Sequence, residues 1–287
     1  MVKVKIGFIG AGKVGFSLGK YFKEGGVQVT GYYSRRLESA KEAAQFTNTA
    51  YYEDIYMLIE DSDILFLTVP DGNISEVFTE IKQAVNNKII CHCSGAMTAA
   101  EAFAGAEEHG AYGYSVHPLF AVSNAYHSYK ELPGVFFALE GHKKYLSSIR
   151  KLLESLGNPT VVLPAGIKRK YHLAAALSSN YIVALVSWSV MLLKECGFTE
   201  KEALSALGPI LKGNMEHVIT SGPVESLTGP IERNDISTVE KHLNQLEEEA
   251  DRQLYCLLSK KLLETAREKH RDYDYNGLEK VIARKGG

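Results

Sequence analysis

Up to about residue 163 the chain alternates short β-rich apolar runs with helical stretches, and beyond that point the β pattern stops. Runs at 4–9, 28–33, 64–69, 88–92, 112–116, 135–139 and 160–163 predict strands, with helices predicted between them at 12–23, 37–45, 74–85 and 143–155. Such alternation is the pattern of a parallel sheet with helices on both faces. After Pro164 come long helical segments at 167–196, 199–220 and 235–270, separated by Gly and Pro clusters, then a charged tail over 268–287 that reads as an appended helix or arm. The expected fold class is α/β, a doubly wound sheet over 1–164 followed by an all-α domain over 165–287.

Composition narrows the function classes. A chain of 287 residues fits two domains at roughly 150 residues each. With 32 basic against 34 acidic side chains the net charge is -2, so bulk charge does not draw the protein to nucleic acid. Cysteines at 91, 93, 196 and 256 are too few and too irregular for a secreted disulfide framework, and a reduced, cytoplasmic protein is expected. The first apolar run is broken by glycines and no cleavage site follows, so no signal peptide is expected. The uncharged stretch 173–193 is long enough to span a bilayer. Ser178, Ser179, Asn180, Ser187 and Ser189 within it favour the buried centre of a helical domain, and no membrane association is expected.

Gly10-Ala11-Gly12-Lys13-Val14-Gly15 follows a predicted strand and opens a predicted helix, the context that makes GxGxxG a dinucleotide signature. Its glycines serve the tight turn, the approach of the pyrophosphate and close helix–strand packing, which identifies the sheet as Rossmann-type. About 20 positions on, where NAD-binding folds keep a carboxylate, stand Ser34, Arg35 and Arg36. A hydroxyl and two planar guanidinium forks suit a 2′-phosphate, so NADP is the expected cofactor. Glu38 close by runs against this. Val69, Pro70 and Asp71 end a further strand at the edge where ligands of open sheets bind, although Asp71 equally suits a helix N-cap.

Two other strand ends carry Ser94, after Cys91-His92-Cys93, and His117, ahead of Pro118. His117 has the side chain for proton transfer on a restrained backbone, and Ser94 either binds substrate or caps the next helix. In the second domain His172, Ala176 and Asn180 recur every four residues, placing two polar groups on one face of an apolar helix. No second cysteine pair accompanies Cys91 and Cys93, and no metal site is expected.

Through GFIGAGKVG, SRR, TVPDGNI, CHCSGA, SVHPLF, YHLAAALSSNYIVAL and LTGPIERNDISTVEKHL, in that order, nearly the whole chain resembles the NADP oxidoreductases that pair a Rossmann-like domain with domain of unknown function 2520. More distantly it is similar to prephenate dehydrogenase, pyrroline-5-carboxylate reductase, ketopantoate reductase and the β-hydroxyacid dehydrogenases. The resemblance implies a dinucleotide site and a helical domain that helps form a dimer, and it supplies no substrate. Prephenate dehydrogenases use a serine after one strand and a histidine in an HP motif for the substrate, which Ser94 and His117 match in type and order. β-Hydroxyacid dehydrogenases use a helical lysine with an asparagine one turn later, whereas here Lys170 is followed by Ala174.

The expectation is an NADP-dependent oxidoreductase of a small polar carbonyl, imine or hydroxy compound, dimeric through its helical domain. In it His117 handles the proton while Ser94, Asn180 and His172 orient the substrate. The alternatives are a non-catalytic NADP-binding sensor or scaffold, which has no need of convergent acid–base groups, and a deazaflavin-linked NADP reductase, which needs a second open pocket.

Overall fold

The computed structural model describes residues 4–285. Its eight strands are β1 (Lys5–Ile9), β2 (Gln28–Tyr33), β3 (Ala50–Tyr52), β4 (Ile64–Leu67), β5 (Ile89–His92), β6 (Tyr112–Pro118), β7 (Phe137–Gly141) and β8 (Thr160–Val162). They form one sheet in the order β3-β2-β1-β4-β5-β6-β7-β8. All neighbours are parallel except β6 and β7, which pair antiparallel with His117 opposite Ala138, a reversal of the all-parallel expectation. The strand order changes direction between β1 and β4, the switch point at which open α/β sheets bind ligands.

Helices α1 (Lys13–Glu24), α2 (Leu37–Thr47), α3 (Ile55–Asp61), α4 (Asp71–Ile81), α5 (Ala99–Ala102) and α6 (Lys143–Ser155) connect these strands. β4 shows why the runs are continuously apolar rather than alternating: all four of its residues are buried. Ile64 and Phe66 enter one core with Phe8, Phe22 and Tyr32, while Leu65 and Leu67 enter another with Ile9, Phe78 and Ile90. β3 and α3 fall in a stretch where no element was expected, because three residues are too few to show a period.

The helical remainder comprises α7 (Lys168–Ser178), α8 (Asn180–Glu195), α9 (Glu200–Ser226), α10 (Ile236–Gln245), α11 (Glu249–Lys269) and α12 (Asn276–Lys285). Two of the long helices expected from sequence are broken. Ser179 leaves helical geometry (φ -125°, ψ -75°) and its hydroxyl donates back to the Ala175 carbonyl at 2.8 Å, so 167–196 is two helices, α7 and α8. Leu246 turns extended (φ -87°, ψ 109°) and is buried, dividing 235–270 into α10 and α11. The helix expected to end at 220 runs on to Ser226 through a kink at Gly222, before Pro223.

By contacts the chain divides into Met1–Ala184 and Leu185–Gly287. The division expected after 164 therefore marks where the strands stop, not where packing thins, because α7 is anchored to the sheet. The second unit has its own core, with Val239, Leu243, Leu263, Leu278 and Ile282 from α10, α11 and α12. α8 has no buried residue. Lys168–Glu195 has the length and mean hydropathy (1.6) of a membrane span by composition alone.

Candidate active site

At the amino end of α1 the backbone forms a cradle. Gly10 has φ +107°, and a Cβ there would lie 2.8 Å from the Thr68 carbonyl carbon and the Val69 nitrogen. A Cβ on Gly15 would lie 2.5 Å from the Gly10 oxygen, so helix and strand meet only because both residues lack side chains. Thr68 closes the turn, its hydroxyl donating to the Gly10 carbonyl at 2.7 Å. Gly12 differs: a Cβ there would meet nothing nearer than 3.9 Å, so its bare backbone faces open space. Gly12 is the N-cap of α1, which has no side-chain cap and no acidic residue in its first turn. Its free N–H groups and positive dipole end suit a phosphate.

Gly10, Ala11, Gly12, Ser34, Arg35, Arg36, Val69 and Pro70 line one cavity of about 250 Å³ beside this cradle. Arg35 and Arg36 are exposed, and among the described residues neither is in an ion pair. Glu38 reaches Lys41 instead, at 3.5 Å. Lys13, Val14 and Gly15 lie in the first turn of α1. Asp71 is not part of that lining. It is the first residue of α4, it does not cap the helix, and its carboxylate accepts from the Ser94 hydroxyl at 2.6 Å.

A second cavity, of about 450 Å³, lies at the end of β6 and is lined by His117, Phe120, Tyr171, His172 and Asn180, with alanines 174, 175 and 176. The structure thus brings three of the four residues expected to meet substrate into one crevice. Ser94 is not in its lining: its hydroxyl is committed to Asp71 and accepts from the backbone of Met97 at 3.0 Å. The next residue, Gly95, lets the two imidazoles close in, since a Cβ there would lie 2.6 Å from His172 Cδ2 and 2.8 Å from His117 Nε2.

Two residues, one lining this crevice and one bonded to the strand that bears His117, were not expected from sequence. Tyr171 is one; its hydroxyl is hydrogen-bonded to His117 Nδ1 at 2.8 Å. Lys168 is the other, only 1% exposed, its ammonium donating to the Ser115 hydroxyl. Lys168, Arg169 and Lys170 look like a solvated charge cluster, yet Lys168, Tyr171, His172 and Ala175 fall at helical spacing. That period is the signal that places Lys168 on the sheet-facing side.

Burial governs the electrostatics. His117 is pushed down to about 4 by burial, by Lys168 and by His172. His92, wholly buried, is pushed down to about 3 by burial and again by Lys168. The His117 imidazole is therefore uncharged at pH 7. His92 Nδ1 accepts from the Ser94 N–H at 3.1 Å, which leaves the proton on Nε2, and the Thr98 backbone partly opposes the fall. Burial raises the Tyr171 phenol to about 12 and lowers Lys168 to about 8, the latter opposed by Glu140, Cys93, Asp71 and Glu101.

Residues 1–118 match the Rossmann-like domain model, and residues 135–262 match that of domain of unknown function 2520. A Thermotoga maritima protein named without an activity shares 26% identity at a TM-score of 0.70, over 92% of this chain and 99% of its own. A Bacteroides fragilis protein assigned as an NADP oxidoreductase shares 22% at 0.68, over 91% and 98%. The Aspergillus terreus reductive aminase in complex with NADPH and ethyl-5-oxohexanoate shares 15% at 0.61, over 99% and 93%. A comparison with curated protein sequences gave no match.

Proposed function

We propose that this chain, a Rossmann-like domain joined to domain of unknown function 2520, is an NADP(H)-dependent oxidoreductase acting on a small polar carbonyl, imine or hydroxy compound. The observation that carries the reading is the cradle at Gly10, Gly12 and Gly15 opening into the same cavity as Ser34, Arg35 and Arg36. The α1 amino end would take the pyrophosphate and the two arginines the 2′-phosphate, while Val69 and Pro70 border the path from β4. Similarity to a reductive aminase that binds NADPH supports the same cofactor.

Bound NADPH would supply the hydride. The chain's own part is to hold the acceptor at the crevice and to place a proton at the reacting oxygen or nitrogen. His117 and Tyr171, joined at 2.8 Å, are the pair for that step, with the phenol a neutral donor that the imidazole orients. His172 and Asn180 offer further hydrogen bonds from the same wall. Four free thiols suit the reduced cytoplasm, where we place the protein.

The exposed apolar residues of α8, such as Val183 at 69%, and separately those of α9, such as Ile219 at 82%, are read as covered in a homodimer rather than as lipid-facing. Light scattering without detergent should give twice the chain mass, and Val183→Glu should shift it toward monomer. A monomer at micromolar concentration would reject the interface.

Cofactor choice is tested by titration. Replacing Arg35 and Arg36 by alanine should weaken NADPH by about tenfold or more per arginine while leaving NADH nearly unchanged. Wild-type protein that prefers NADH would sink the assignment.

A further inference from the structure

We infer that Lys168 is the positioning residue of the crevice: its buried ammonium ties the start of α7 to β6 through Ser115 and makes a second positive charge at His117 unfavourable. His117 and Tyr171 then work as a neutral imidazole–phenol pair. This inference rests on the proposed crevice, but its test does not require that reading.

The geometry comes first. A side chain this long is almost never fully buried without a reason, and Lys168 reaches inward from the first turn of α7 to the strand residue two before His117. Ser115 is itself buried and donates onward to the Ser94 carbonyl at 3.4 Å, so the ammonium, the β6 end and the Ser94-Gly95 turn form one connected floor. One turn further along α7, Tyr171 and His172 arrive at His117 and Gly95. Fixing Lys168 therefore fixes where both rings can stand.

The charge follows from the same placement. Around Lys168 lie the carboxylates Glu140 from β7, Asp71 from α4 and Glu101 from α5. These keep the ammonium charged despite its burial, and none is paired with His117. His117 itself faces Lys168, His172, Tyr171 and the buried His92, and no carboxylate among its resolved influences offsets the lysine. A buried lysine counterbalanced from behind thus repels a proton from the imidazole in front. His117 and Tyr171 consequently act as neutral hydrogen-bonding groups, and of Lys168 and His117 it is the lysine whose value lies nearer to neutral pH.

Long-range proton–nitrogen NMR of the histidine rings in the full chain tests this directly. In wild-type protein His117 should stay neutral down to about pH 5, with a second, smaller inflection near pH 8 as Lys168 loses its proton. In Lys168→Met the His117 midpoint should rise by about one pH unit or more, toward the ordinary histidine value. Lys168→Arg, which keeps the charge, should hold the low midpoint and abolish the inflection near 8. Wild-type His117 titrating between 6 and 7 overturns the inference whether or not Lys168→Met folds, as does an unchanged midpoint in a folded Lys168→Met. A merely structural lysine would change the melting temperature in these variants without moving the His117 midpoint. NADPH titration of the same samples judges the cofactor reading separately: failure to bind NADPH with the predicted His117 behaviour would reject that reading and leave this one standing.

Discussion

The dinucleotide cradle and the histidine crevice lie at the ends of strands of one sheet, yet they are built from opposite materials. The cradle is backbone: Gly10, Gly12 and Gly15 work by lacking side chains, and one hydroxyl, from Thr68, closes the turn. The crevice is side chain upon side chain, with His92, Ser94, Ser115, His117, Lys168 and Tyr171 contributed by two strand ends, a turn and a helix. A backbone site is indifferent to protonation, whereas a site made of buried titratable groups is poised against the cost of charging them. Shape should govern the first and charge the second.

The largest expected effect separates the two by acid. His92 and His117 both have values lowered in the fold, so the unfolded chain binds more protons than the native one below the ordinary histidine value of 6.5. Stability is then fully present above 6.5 and is lost as pH falls toward about 4 and about 3. The loss should be on the order of 5 kcal/mol after allowance for solvent screening of half-buried His117. Urea unfolding followed from pH 7 to pH 4 measures it, and His92→Asn, which keeps an acceptor for the Ser94 N–H, should flatten the profile. Stability that stays level to pH 4 would remove the contrast.

Next comes a shape change in the cradle. Because a side chain on Gly12 meets only open space in the fold, Gly12→Val should leave the melting temperature nearly unchanged. It should nonetheless cost about a thousandfold in NADPH affinity, the equivalent of two or more lost charge-assisted phosphate contacts. Normal binding by this variant would mean that the phosphates lie elsewhere.

Smaller again, and confined to the crevice, is His117→Asn. NADPH binding should persist while turnover falls by roughly a hundredfold once a substrate is in hand. Near-normal turnover would reduce His117 to a wall residue and pass its role to Tyr171.

How legible each region is in the sequence follows from the same difference. Gly10, Gly12 and Gly15 lie within six residues, so their spacing records the geometry directly, and the flanking strand and helix were recoverable from hydrophobic period. In the crevice, Lys168 meets Ser115 across 53 positions and Tyr171 meets His117 across 54. No local period reports such a pairing, and the charged neighbours Arg169 and Lys170 disguise Lys168 as surface. Ser94 and Asp71 were both noticed, but not that each satisfies the other. The kink at Ser179 was hidden for a related reason, because apolar character runs through it unbroken.

Gly95 bears on anyone who would redesign this protein. One added methyl there would stand closer to two imidazoles than any real carbon does, so the position tolerates no variation that keeps both rings in place. Across the crevice, alanines 174, 175 and 176 line the wall without making a side-chain hydrogen bond. A combinatorial library should therefore freeze the glycine and randomise the alanines, changing the accepted molecule's girth while leaving the proton-handling pair untouched.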